Sequence, residues 1–123
     1  MKHTAAVKAF VALGHESRLF IFKLLTQKGK EGMPAGEIAR HFDIPGATLS
    51  FHLTQLSNAK LVDSRKEGRT VYYFVKYKRI KKLMNYLSDN YYKNKPSKQL
   101  EPDDLEILEA VTTTDDFDDD DDD

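Results

Sequence analysis

Thr48, Phe51, His52 and Gln55 share one face of the stretch over residues 44–61 when it is read at helical spacing. That face offers a hydroxyl, an imidazole and an amide with no formal charge, a set suited to hydrogen bonding with base edges in a major groove. Leu49, Leu53 and Leu56 fall at i, i+4 and i+7 on another face, which packs. The stretch therefore reads as a recognition helix. Ser50 is placed beside these groups, at a base edge or a phosphate, and neutral His52 can donate or accept a hydrogen bond.

A second group of candidates follows directly. Residues 61–65 and 70–75 are rich in β-branched and aromatic side chains, with Lys66-Glu67-Gly68-Arg69 between them, which predicts a β-hairpin. Its tip carries Arg65, Lys66 and Arg69, able to straddle a phosphate backbone or enter a minor groove, and Tyr72 brings a ring with a hydroxyl towards the same end. A merely solvated hairpin tip is the plainer alternative.

The elements that must position these groups can be traced in order. Residues 3–13 carry Ala6, Val7, Phe10, Val11 and Leu13 and predict a short helix ending at Gly14, covering its own core or also packing across a dimer. Residues 16–27 are apolar nearly all round and predict a central buried helix, with Arg18 and Lys23 on its exposed edge. Pro34 suits the first turn of a third helix, whose stripe is Ala35, Ile38, Ala39 and Phe42. Asp43-Ile44-Pro45-Gly46 breaks the chain before the recognition helix, and with Pro45 at the cap position Thr48 or solvent must satisfy the first amides. Two short helices so joined constitute a helix-turn-helix.

Residues 78–92 predict the last strong helix, with Ile80, Leu83, Met84, Leu87 and Tyr91 in one stripe. Little of its own domain remains for that stripe to cover. Val7, Phe10, Leu83, Leu87 and Tyr91 are accordingly assigned to a homodimer interface. The expected fold is mainly α with a β-hairpin: a dimeric winged helix-turn-helix of five helices plus wing. Residues 1–93 form the DNA-binding and dimerisation domain, and residues 94–123 a linker and an acidic, largely disordered tail.

Charge divides the chain the same way. All 19 Lys and Arg residues precede residue 100, where they face only 7 acids, a balance of +12; the remaining 13 acids follow. A basic body favours a polyanion, here double-stranded DNA. Six consecutive aspartates, Asp118 to Asp123, end the chain. They serve solubility, dock a protein through Leu105, Ile107, Leu108 and Phe117, or fold over the basic surface as a tethered competitor of DNA. The absence of cysteine excludes disulfides, thiolate metal sites and thiol catalysis. No 18-residue apolar run and no signal-peptide layout occurs, so a cytoplasmic protein without a membrane partner is expected.

Four segments together resemble the ArsR/SmtB family of bacterial winged-helix repressors: Ala12-Leu13-Gly14-His15-Glu16-Ser17-Arg18, Glu37-Ile38-Ala39, Thr48-Leu49-Ser50-Phe51-His52-Leu53, and Glu67-Gly68-Arg69-Thr70-Val71-Tyr72-Tyr73. The resemblance covers about residues 3–93. It implies a homodimer on an inverted-repeat operator, an interface of the first and last helices, and repression relieved by an inducer. Its sensing chemistry does not carry over. Where the family's metal sensors have Cys-x-Cys near the third helix, this chain has Met33-Pro34-Ala35-Gly36. The last helix offers no His and only Asp89, and the arsenite branch's Asn-Cys-Cys corresponds to Asn90-Tyr91-Tyr92. His3, His15, His41 and His52 are not spaced as i, i+4 pairs. No metal ligand set and no cofactor is expected.

The sequence thus predicts a DNA-binding transcriptional regulator, a homodimeric repressor without the cysteine sensor. The rival from another class is a protein-interaction module using the winged helix as scaffold and the acidic tail as bait. No phosphate-cradling Gly motif, cysteine nucleophile, Ser/His/Asp set or paired carboxylates points to an enzyme.

Overall fold

The computed structural model describes residues 1–94, with side chains through Asp89. The element order is α1 (His3–Leu13), α2 (Glu16–Lys28), a 3-10 turn (Gly29–Glu31), β1 (Met33–Pro34), α3 (Ala35–Phe42), α4 (Gly46–Asn58), β2 (Val62–Glu67), β3 (Thr70–Val75) and α5 (Tyr77–Asn94). The predicted linker and acidic tail lie outside the described residues. No described helix is long and apolar enough to cross a membrane.

The described residues divide into two compact units, Val7–Lys76 and Met1–Ala6 with Tyr77–Asn94. The first unit holds the helix-turn-helix and its wing. Ile21, Leu25, Ile38, Leu56 and Leu61 are its most fully buried large side chains and join α2, α3, α4 and the start of the hairpin into one core. At about 25 cal/mol per Å² of buried apolar surface, each such residue contributes on the order of 2 kcal/mol. In the second unit the first turn of α1 meets α5, where the His3 ring and the Tyr86 hydroxyl share a hydrogen bond. Leu83 is buried in this unit.

Local chemistry explains the helix-turn-helix. α3 stops because Asp43 takes the left-handed conformation, φ 53°, and its N–H turns back to the Ala39 and Arg40 carbonyls. Pro45, in extended conformation, then caps α4 with no side-chain hydrogen bond. Thr48 does not supply one, so the first amides of α4 are left open to solvent or to an anion.

The wing differs from the predicted lone hairpin. Its strands pair from Val62↔Val75 to Glu67↔Thr70, so the turn shortens to Gly68 and Arg69, with Gly68 at φ 65°. A third strand, β1, adds on the far side in the order β1-β3-β2, with Met33 opposite Tyr73 and Pro34 opposite Tyr72. Pro34 is therefore a strand residue and the cap of α3, not part of its first turn. Two residues are too few to show alternation, and the strand exists only because β3 offers it an edge.

α1 and α2 also depart from expectation. α1 buries Ala5, Ala6, Ala9 and Ala12, while Val7, Phe10 and Val11 remain exposed. On α2, Leu19 and Phe20 are about half exposed, so the helix is not buried all round. Arg18, expected at an exposed edge, is half-buried and donates from Nε to the Ala12 carbonyl at 2.6 Å.

Candidate nucleic-acid interface

The residues predicted to share one face of α4 are not all exposed, and His52 is the buried exception. Thr48, Ser50 and Phe51 are exposed, with Phe51 at 57%, and Gln55 is half-buried. Thr54, which the sequence reading left out, lies on the same exposed face three residues beyond Phe51. His52 is only 6% exposed. It sits one position round the helix, on the side that packs against α2, next to Leu49, Leu53 and Leu56 in the buried set. A 100° step per residue separates Phe51 from His52, and that step carries the imidazole from groove face to core face.

Buried, His52 serves as a joint. Its ring lies 4.9 Å from that of His15 and 5.6 Å from that of Phe51, centroid to centroid. Arg18 Nη1 approaches His52 Nδ1 at 3.4 Å. A guanidinium can only donate, so Nδ1 accepts and the proton of the neutral ring resides on Nε2. His15 in turn caps α2, its Nδ1 accepting from the Ser17 N–H. The chain of contacts ties the start of α2 to the recognition helix.

Burial first, then the neighbouring His15 and Arg18, hold the His52 pKa below its ordinary 6.5. The folded state thus favours the neutral ring. Its stabilising effect is complete above the unfolded pKa and is lost as pH falls below about 6.5 towards the lower folded value, because the unfolded chain then binds the extra proton. Thermal unfolding between about pH 7.5 and about pH 5.5 should show a larger fall in midpoint for the natural chain than for His52→Gln. Equal falls would remove His52 as the cause.

The hairpin candidates separate into two kinds. Lys66 and Arg69 are exposed near the turn, with no hydrogen bond or ion pair identified for either. Arg65 is engaged within the protein. It pairs through Nε with Glu67, and donates to the Lys30 carbonyl at 3.2 Å and the Glu31 carbonyl at 2.7 Å. Its guanidinium also covers the ring of Tyr72 at 4.8 Å and stands 5.8 Å from that of Phe74. Arg65 thus fastens the wing to the turn after α2, and Tyr72 is the half-buried surface beneath it. Both depart from the expectation that they project from the tip.

Of the dimer candidates, Val7, Phe10 and Leu87 are exposed, and Met84 joins them on α5 at 51%. Leu83, at 3% exposed, is covered within its own chain and is not presented to a partner. The side chain of Tyr91 lies outside those described. Among the described residues no three His, Cys, Asp or Glu side chains converge as a metal set would require.

A helix-turn-helix domain family matches residues 13–65. MJ1325 of Methanocaldococcus jannaschii, an uncharacterized HTH-type transcriptional regulator, is 33% identical over 88 residues, 72% of this chain and 97% of that protein. The homodimeric winged helix-turn-helix DNA-binding domain of Mb0332 from Mycobacterium bovis, a possible ArsR-family regulator, has a similar fold with a TM-score of 0.57 at 25% identity. That likeness covers 75% of this chain and 85% of that one. The chain belongs to the ArsR/SmtB family. The cadmium resistance regulatory protein CadC of Listeria innocua is 39% identical to it over 75 residues, 61% of each chain. Relatives of this ArsR/SmtB protein are transcriptional regulators that use a helix-turn-helix, not enzymes. Its α3 and α4 are the two helices of that motif, and β2 and β3 form its wing.

Proposed function

We propose that this ArsR/SmtB protein is a homodimeric, sequence-specific repressor that binds an inverted repeat and lacks the cysteine metal sensor. One observation carries the reading: the exposed, uncharged face of α4 stands in the same compact unit as the free cations Lys66 and Arg69 of the wing. Uncharged polar groups discriminate bases, and cations on a hairpin hold phosphates. Thr48, Ser50, Phe51 and Gln55 are the proposed groove contacts. Lys66 and Arg69 are the proposed backbone or minor-groove contacts, with Arg65 and Tyr72 holding the wing. The dimer is supported by the exposed apolar side chains of α1 and α5 and by the homodimeric relative.

Selection of duplexes from random DNA by the full chain tests the reading. An inverted repeat bound at least about a thousandfold more tightly than its scrambled control is expected. Lys66→Ala should weaken both duplexes alike and reduce the salt slope by about one. Binding that merely follows salt, with no sequence preferred, would reject the regulator and favour a protein-interaction module. Cadmium and arsenite should leave the complex intact, since the chain has no cysteine.

The 13 acids after residue 99 are assigned a regulatory part as a tethered competitor of DNA for the basic surface. A flexible tether gives an effective concentration on the order of millimolar. Truncation after Gln99 should raise affinity for non-specific DNA several-fold at low salt, with the gain shrinking as salt is added. Unchanged affinity would leave the acids a solubility role only.

A further inference from the structure

The chemistry of α4 narrows what its groove face can read. Guanine is normally read by Arg or Lys on O6 and N7, and the cytosine amino group by a carboxylate. Gly46–Asn58 contains no Arg, Lys, Asp or Glu. What the exposed face carries at its centre is an aromatic ring, Phe51, flanked by Ala47, Thr48 and Thr54. An apolar side chain 57% exposed in the middle of a helix with a polar surface gains most from a partner that covers it with apolar surface. The major groove has one such group, the 5-methyl of thymine.

The ring is also held in place. The His52 imidazole packs edge-on against it, with the planes inclined at 62°. His52 is itself held between His15 and Arg18. Phe51 is thus presented on a buried support, so less side-chain freedom is lost when it meets a base.

We infer that Phe51 is a specificity-determining residue that reads the 5-methyl group of thymine, and that the half-sites of this protein carry thymine opposite the middle of α4. The inference rests on the regulator reading above and specifies the DNA it takes. His52 is a positioning residue here, acting through Phe51.

The test uses the full chain and the duplex most enriched from random DNA, synthesised once with thymine and once with deoxyuridine. That exchange deletes only the methyl groups. Each contacted methyl should be worth about fourfold in affinity, and two half-sites about fifteenfold. Phe51→Ala should bind the two duplexes equally, and Phe51→Leu should recover part of the difference. Its thermal midpoint should match that of the natural chain, because the side chain is exposed. Specific binding that is indifferent to deoxyuridine, or a thymine preference that survives in Phe51→Ala, would overturn the inference and leave the regulator standing. Failure to enrich any duplex would remove the regulator reading itself.

Discussion

Gly32→Ala should destabilise the fold by about 3 kcal/mol, because two costs coincide at that position. Gly32 has φ 72°, where a side chain is strained, and its added Cβ would overlap the Tyr73 carbonyl oxygen and lie 2.9 Å from its carbon. The obstacle is backbone of β3, so it cannot rotate away. β1 would have to leave the edge of the sheet, with Met33 and Pro34 losing their register on Tyr73 and Tyr72. For a domain of this size the unfolding midpoint should fall by roughly 12–24 °C, measured by circular dichroism. Gly68→Ala supplies the comparison: its φ is 65° but nothing lies within 4 Å of the added carbon, so only about 1 kcal/mol is expected. Equal effects at the two sites would show that the close approach to β3 carries no energetic weight.

Phe10→Glu should turn the proposed dimer into a monomer while leaving the fold intact. The fully buried residues of α1 are four alanines, and Val7, Phe10 and Val11 are 46%, 41% and 65% exposed. Met84 and Leu87 on α5 are likewise about half exposed. Apolar side chains in this number are ordinarily covered, and a second copy is the proposed cover. A carboxylate placed there would have to be desolvated with no partner. Since two linked half-site contacts gain about 10² to 10⁴ over one, affinity for an inverted repeat should fall at least about a hundredfold. Sedimentation and titration of the selected duplex read both effects. A variant that stays dimeric would place the interface elsewhere.

The helices were legible because periodicity is a property of sequence. Ile38 with Ala35 and Phe42, and Leu49 with Leu53 and Leu56, recur at turns of a helix, and Asp43-Ile44-Pro45-Gly46 cannot continue one. The hairpin was legible for the matching reason, β-branched and aromatic runs on either side of a glycine turn. Four short segments between Ala12 and Tyr73 were enough to indicate the family. Periodicity is blind, however, to which of two apolar faces is covered. On α1 the alanine face turned inward and the bulkier face outward.

The sequence by itself determined the kinds of groups available: an uncharged recognition helix, a cationic hairpin, a chain without cysteine, and a basic body followed by acids. These are facts of composition and order, and no fold alters them. The tertiary structure decided which groups are free to act. His52 and Arg65 carry the chemistry of DNA contact, yet His52 faces Arg18 across the core and Arg65 is bound to the carbonyls of Lys30 and Glu31. Those partners lie 34 or 35 residues away in the chain. A hydrogen bond that closes such a span leaves no local periodic trace, so only the folded chain distinguishes a side chain that reaches out from one that holds the reader in place.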